Sequence, residues 1–513
     1  MDSWFDEASV ILSRFLAFRR LAAFMSASSI CLAQTITAGQ DPSPALTPAT
    51  VRATTVEPST ESMEQLMRRL ADAEQRLQSL EWEHNSPIAS DDSAEEGSAL
   101  DDKPESAEHG EKAKAAEKPK EKAWYEKLRI RGYAQLRIND VLDTEDGSAP
   151  AQYIGDSSVG DNQGFIIRRA RLIVQGDVSD HASVYLQPDF ASNVPGSPDA
   201  NQFAQIRDWY GDFYFDTTKI NRIRAGQSKI PFGWENLQSS SNRLPLDRSD
   251  PLNTAAKNER DLGMFYYWTP EYAQDFYQEV LDEGLKGSGN YGVFGTGFYN
   301  GQGGSFREQN DNLHFIARYN QPFTLANGQR MELGIQGYTG RYTVLSSAIS
   351  PLGVGGTSRP LGTLETGDES GLRDQRLAGT IVYYPQPLGF QAEWNVGRGP
   401  GLSDNQTEVI VRDLHGGYAM TMYRIQTCHY GEFFPFYRYQ YYEGGAKAER
   451  NAPFIMVDEH ELGLEWQMNK YVELVTMYTV TDRTNTAAVN SADTLSYRQF
   501  DGELLRFQLQ FNY

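Results

Sequence analysis

The sequence is poor in the residues that carry out reactions. It has only two cysteines, Cys31 and Cys428, and Cys31 falls in an N-terminal targeting stretch. The single thiol left over rules out a disulfide framework or a cysteine-rich metal site within one chain. The seven histidines (His84, His109, His181, His314, His415, His429 and His460) form no metal-spaced pair. Neither a Gly-x-Ser-x-Gly elbow nor a phosphate-cradling Gly-x-x-x-x-Gly-Lys-Ser/Thr loop is present. No catalytic residue, cofactor or metal is therefore expected. Basic residues are outnumbered, 47 Lys and Arg against 69 Asp and Glu for a net charge of −22, which argues against a nucleic-acid partner.

Long apolar runs are missing too. Outside the extreme N-terminus no stretch reaches about eighteen apolar residues, the length that reads as a membrane helix, and mean hydropathy is −0.56. Helical spans are excluded. Barrel strands are not, because each needs only about 9 to 11 residues and alternates lipid-facing with lumen-facing side chains. The abundant residues fit such a barrel: 12% aromatics, with 28 Tyr and 25 Phe, and 45 Gly. A large soluble all-β protein would share that composition.

The C-terminus separates the two. Leu505, Phe507, Leu509, Phe511 and Tyr513 alternate with Arg506, Gln508, Gln510 and Asn512, giving one oily and one wet face. A strand of this kind ending on an aromatic suits the closing strand of a transmembrane barrel. The same alternation recurs over 127–139, 165–177, 183–190, 206–215, 222–230, 292–300, 331–342, 377–384, 390–397, 417–424, 436–442, 460–468 and 472–480. Short connections at Asn327-Gly328, 385–389 and 468–471 contrast with long polar ones at 147–164 and 346–372. The expected fold is all-β: a transmembrane antiparallel barrel of about sixteen strands over 124–513, preceded by a short α-helical coiled coil.

Ahead of the barrel the chain divides by composition. Residues 1–33 carry Arg14, Arg19 and Arg20 before an apolar stretch and a small-residue ending, the pattern of a signal peptide. Residues 34–58 are a Thr, Pro, Ala and Ser linker. Over 59–84, Met63, Leu66, Leu70, Ala73, Leu77 and Leu80 fall at alternating steps of three and four. That is the seam of a short coiled coil, so Met63, Leu66, Leu70, Leu77 and Leu80 are the expected oligomerisation residues. Residues 85–123 are charged, low in large apolar groups and expected to be a disordered spacer.

The stretches Phe165-Ile-Ile-Arg-Arg-Ala-Arg-Leu172, Ile223-Arg-Ala-Gly-Gln-Ser-Lys-Ile-Pro-Phe-Gly233 and Ser239-Ser-Ser-Asn-Arg243 resemble the phosphate-selective porin O and P family. So do Phe298-Tyr-Asn-Gly301 and Pro435-Phe-Tyr-Arg-Tyr-Gln-Tyr-Tyr442. The resemblance implies a homotrimer of outer-membrane barrels, embedded in outer-membrane lipid with the N-terminal arm in the periplasm. It also implies an inward-folded loop narrowing a pore whose Arg and Lys attract phosphate or polyphosphate.

The residues themselves offer a basis for anion passage. Guanidinium forks replace the hydration of an anion entering a narrow lumen. Arg129, Arg131 and Arg137 share the wet face of the first strand, and Arg169 and Arg171 that of the second. Arg222 and Arg224 share a face, whereas Lys229 falls on the other by strict count, so it lies past a bulge or outside the lumen. The segment 239–260, with Arg243, Arg248, Lys257 and Arg260, is the candidate constriction loop, a plain surface loop being the competing reading. Charge cuts the other way: 124–513 keeps −13 of the −22 once the neutral 1–33, the −4 of 34–90 and the −5 of 91–122 are removed. The expectation is passive diffusion of small anions down an Arg-lined lumen. A general or cation-preferring porin, or a barrel tethering envelope layers, stands as the alternative.

Overall fold

The computed structural model describes residues 123–144, 153–156, 158–159, 164–192, 203–304, 306–345, 371–404, 408–484 and 499–513. The signal peptide, linkers and coiled coil expected over 1–122 lie outside the described residues.

Strands β1 (Arg129–Thr144), β2 (Ile166–Ser179), β3 (Ala182–Ser192), β4 (Phe203–Tyr214), β5 (Asn221–Lys229) and β6 (Arg260–Trp268) follow one another, then β7 (Phe294–Tyr299), β8 (His314–Thr324) and β9 (Arg330–Tyr342). The series continues with β10 (Leu372–Tyr383), β11 (Leu388–Leu402), β12 (Val409–Tyr423), β13 (Ile425–Thr427), β14 (Gly431–Gly445), β15 (Phe454–Asn469), β16 (Val472–Thr484) and β17 (Gln499–Asn512). Neighbours pair antiparallel, and β17 pairs with both β16 and β1, closing the sheet on itself. The three residues of β13 pair with β14 beside β12. Among the described residues, seventeen strands less this extension leave sixteen staves, each paired on both sides.

The C-terminal alternation is realised as expected. Gln508 and Gln510 are buried in the lumen with Arg506, while Phe511 faces out. Large apolar side chains such as Trp209, Met264, Phe298, Ile335, Leu377 and Trp394 are exposed on the outer wall, and charged ones are buried within. This inversion of the soluble pattern suits a wall solvated by lipid. Phe215, Trp268, Tyr423, Tyr430, Tyr471 and Tyr513 ring the end that carries the short turns.

Strands β6 and β8 break the alternation. In β6, Phe265 and Tyr267 are apolar yet face inward, and in β8 Ile316 does the same. These residues pack against the segment Ile230–Glu259, which leaves β5 and folds into the lumen. Ile230, Phe232, Leu244, Leu246 and Leu252 of that segment join Phe265, Tyr267, Tyr299, Ile316, Tyr338, Met420, Phe434 and Met477 of the wall in one apolar core. This hydrophobic core therefore lies inside the barrel, between the inward loop and the wall.

A second segment enters from the short-turn end. Between β6 and β7 the helix Glu271–Asp282 buries Ala273, Phe276, Tyr277 and Val280. They pack with Trp234 of the inward loop, Leu285, Val382 and Tyr384. These four residues fall at i, i+3, i+4 and i+7, a helical spacing that the all-β reading of 124–513 did not pick out.

Candidate functional site

The inward loop is fixed by ionic and hydrogen-bonding clamps as well as by its core. Glu393 of β11 accepts the backbone N–H groups of Trp234 and Glu235, at 2.6 and 2.8 Å. The Glu235 carboxylate in turn meets Arg438 of β14 at 2.6 Å and accepts the Ser249 amide at 2.8 Å. Asp250 is ion-paired with Arg483 of β16. On the opposite flank, Asp247 and Asp156 form a shared acidic centre for Arg137 of β1 and Arg506 of β17. Burial by itself raises both carboxyls. The surrounding guanidinium groups outweigh it, holding Asp156 at about 2 and Asp247 well below the usual carboxylate range.

Between the loop and the wall formed by β2, β3 and β4 there remains a cavity of about 270 Å³. Six basic side chains line it, Arg168, Arg169, Arg171, Arg207, Arg248 and Lys257, against four acidic ones, Asp189, Asp247, Glu259 and Glu449. The excess is two positive charges. The volume exceeds the roughly 10–15 Å³ that a water centre needs by an order of magnitude, so a hydrated small anion fits.

Pairing divides the basic groups. Arg171 is bound to Asp189 at 2.7 Å and also donates to Tyr133 and Ser240. Arg248 meets Glu259 at 2.8 Å and donates to the Gln238 carbonyl. Arg169 instead donates to the neutral Gln135 at 2.8 Å, its nearest carboxylate contact being Asp247 at 4.0 Å. Arg207 stands 3.8 Å from Glu259, and its Nε is buried without a hydrogen-bond partner. Arg243, on the loop, donates only to the carbonyls of Pro245 and Leu246, leaving one Nη without a partner. Burial and the neighbouring Arg248 pull its pKa down to about 9, with Glu235 and Asp247 offsetting only part of that. A guanidinium does not give up its proton near neutral pH. The shift therefore marks positive charge that the protein leaves under-compensated.

The other expected pore residues are distributed unevenly. Arg129 and Arg131 have inward parity but are exposed at the short-turn rim, so they do not extend the ladder into the lumen. Arg137 is fully buried and neutralised by Asp156 and Asp247. Arg224 forms a two-pronged pair with Asp212 at 2.8 Å, and Arg222 lies 3.8 Å from the same carboxylate. Lys229 is within the lumen without a bulge: β5 and β6 stay in register, and its ammonium donates to the Leu237 and Gln238 carbonyls at 2.7 and 2.9 Å. As the last residue of β5 it is covered by the loop it precedes. Arg168 and Arg207 were not singled out from the sequence as lining residues. The β2 motif that contains Arg168 was visible, but Arg207 stood in β4 without a same-face basic partner.

A family model described as phosphate-selective porin O and P matches residues 150–513. No curated protein matches the chain. Among solved structures it is similar to the outer membrane channel DcaP of Acinetobacter baumannii, with 12% identity over 75% of this chain and 97% of that one, at a TM-score of 0.45. It is also similar to the trimer form of OmpT of Vibrio cholerae, with 10% identity over 75% and 99% at 0.43. A further likeness is to the anion-selective porin from Comamonas acidovorans, with 12% identity over 75% and 99% at 0.41.

Proposed function

The chain belongs to the phosphate-selective porin O and P family and is an outer-membrane channel; on that premise we propose that it passes small anions, phosphate or polyphosphate, by diffusion. The observation that carries this reading is the vestibule at the long-loop end, where Arg169 and Arg207 face a cavity and stand no nearer than 4.0 and 3.8 Å to their carboxylate neighbours. A guanidinium held by neutral acceptors keeps its full charge for a passing anion. The family supports the solute class, and the short-turn end is read as periplasmic.

The working form in this reading is a homotrimer, with the N-terminal arm in the periplasm joined through Met63, Leu66, Leu70, Leu77 and Leu80. The heptad spacing of those residues supports self-association of the arm, and the family resemblance supports three copies. A cation-preferring or general porin is the second reading, favoured by the −13 net charge of 124–513. Charge on outer loops would leave the lumen field to local placement.

The test is the reversal potential of the purified protein in a planar bilayer under a chloride gradient, followed by titration with phosphate. Anion selectivity with block of chloride current by phosphate is the expected result. Cation selectivity without any phosphate effect would instead identify a general porin.

A further inference from the structure

Arg169 differs from its neighbours in what stands across the sheet from it. Arg171 faces Asp189 on β3 and Arg224 faces Asp212 on β4, and these two close ion pairs at 2.7 and 2.8 Å. Arg169 faces Gln135 on β1 and donates to its amide oxygen at 2.8 Å. Gln135 in turn faces Gln510 of β17 and donates to it at 2.6 Å, while Gln510 faces Glu473 of β16 and donates to that carboxyl group. Four cross-strand partners on four strands thus form one directed row.

The arginine fixes the sense of the row. A guanidinium only donates, so Gln135 has to turn its oxygen to Arg169 and its nitrogen to Gln510, whose own nitrogen is then left to meet Glu473. Neither amide brings a charge. The carboxyl group of the row stands three strand spacings from Arg169, about 14 Å at the usual separation of strands, whereas an acidic side chain at 135 would touch the guanidinium directly. Gln135 is fully buried and cannot swing away. Its nitrogen also reaches the inward loop, at the Ser240 carbonyl at 3.0 Å, as that of Gln510 reaches the Ser241 carbonyl at 3.2 Å. Holding the loop and sparing Arg169 are therefore two separable roles of one side chain.

We propose that Gln135 is a specificity-determining residue of the pore. Its neutral amide stands where a carboxylate would neutralise Arg169, and so leaves that guanidinium its charge for phosphate in the vestibule. The inference rests on the reading of the pore as an anion channel.

The test is the concentration of inorganic phosphate that half-blocks chloride current through the full-length protein in a planar bilayer. Gln135→Glu keeps the size of the side chain but pairs Arg169, and should raise that concentration about tenfold. Arg169→Gln should raise it to the same extent. Gln135→Met gives up the same bond to the loop without adding charge, and should stay within about threefold of wild type. Gln508→Glu adds the same charge to the same wall but beside Arg137, which Asp156 and Asp247 already neutralise, and should also stay within that range. A wild type that phosphate does not block would overturn the anion reading and this proposal with it. Block of the wild type that Gln135→Glu leaves unshifted would overturn the role of Gln135 alone. An equal shift in Gln135→Met would reduce the residue to a support for the loop, and an equal shift in Gln508→Glu would assign the effect to total lumen charge; either result overturns the proposal. If Gln135→Glu does not assemble, Arg169→Gln still decides, because no shift there would overturn it.

Discussion

Gln238 donates a 2.6 Å hydrogen bond from its side-chain amide to the backbone carbonyl of Lys286. One residue belongs to the loop that enters the barrel from the long-loop end, the other to the segment that enters from the short-turn end. Asn242 repeats the contact with Gly287 at 2.8 Å, and Lys286 itself reaches the wall as an ion pair with Glu465 of β15. The lumen is thus narrowed by two segments braced against each other.

Lys286→Ala should loosen that brace. It strands the buried Glu465 carboxylate, a change that typically costs about 3–5 kcal/mol locally. Single-channel recordings are expected to show higher conductance and added current noise. A trace identical to wild type would mean that the segment stays in place without its ion pair.

Arg169→Gln combined with Arg207→Gln removes the two vestibule charges that lack a close carboxylate. The anion-to-cation permeability ratio should fall several-fold while the melting temperature changes little, since neither guanidinium closes a short ion pair. Arg224→Gln offers the contrast. It strands Asp212 and should destabilise the barrel locally.

Asp189→Asn acts in the opposite direction. It keeps the side-chain volume but releases Arg171 from its 2.7 Å ion pair. The vestibule gains one net positive charge, and phosphate should block chloride current at roughly tenfold lower concentration, the equivalent of about 1.4 kcal/mol. No change in the blocking concentration would place Arg171 off the permeation path.

Acid should release the clamp on the loop. The Asp156 carboxyl ordinarily titrates at 3.8 but is held at about 2 in the folded protein. Its stabilising contribution is therefore complete above about pH 4 and is lost as pH falls through about 2. Conductance should be flat from neutral pH to about pH 5 as far as this group is concerned. It should change steeply only below about pH 4, as Arg137, Arg168 and Arg506 lose one of the two carboxylates they share. Asp156→Asn should show the acid-like conductance already at neutral pH.

Alternation with a period of two was enough to read the barrel, because a wall with lipid on one side and charge on the other imposes that pattern on every strand that has nothing else to contact. The strands that escaped, β6 and β8, have inner faces that meet the inward loop instead of an aqueous lumen, as parts of β9, β12 and β14 also do. There Phe265, Tyr267 and Ile316 are apolar on both counts. The helix Glu271–Asp282 was missed, although its buried residues keep helical spacing, because the strand alternation around it set the reading.

Apart from Lys229 at the end of β5, the sequence by itself determined which of the expected basic side chains face inward, since parity along a strand is a local property. Arg137, Arg169, Arg171, Arg222 and Arg224 all point inward as their positions require. Which of them keeps a charge to offer an anion was decided only by the tertiary structure. Arg137 is silenced by Asp247, 110 positions away, Arg438 by Glu235 at 203 positions, and Arg169 is spared because its neighbour is Gln135. Ion pairing depends on distances of a few ångströms between residues remote in the chain, and closing the barrel around its inward loop is what sets those distances.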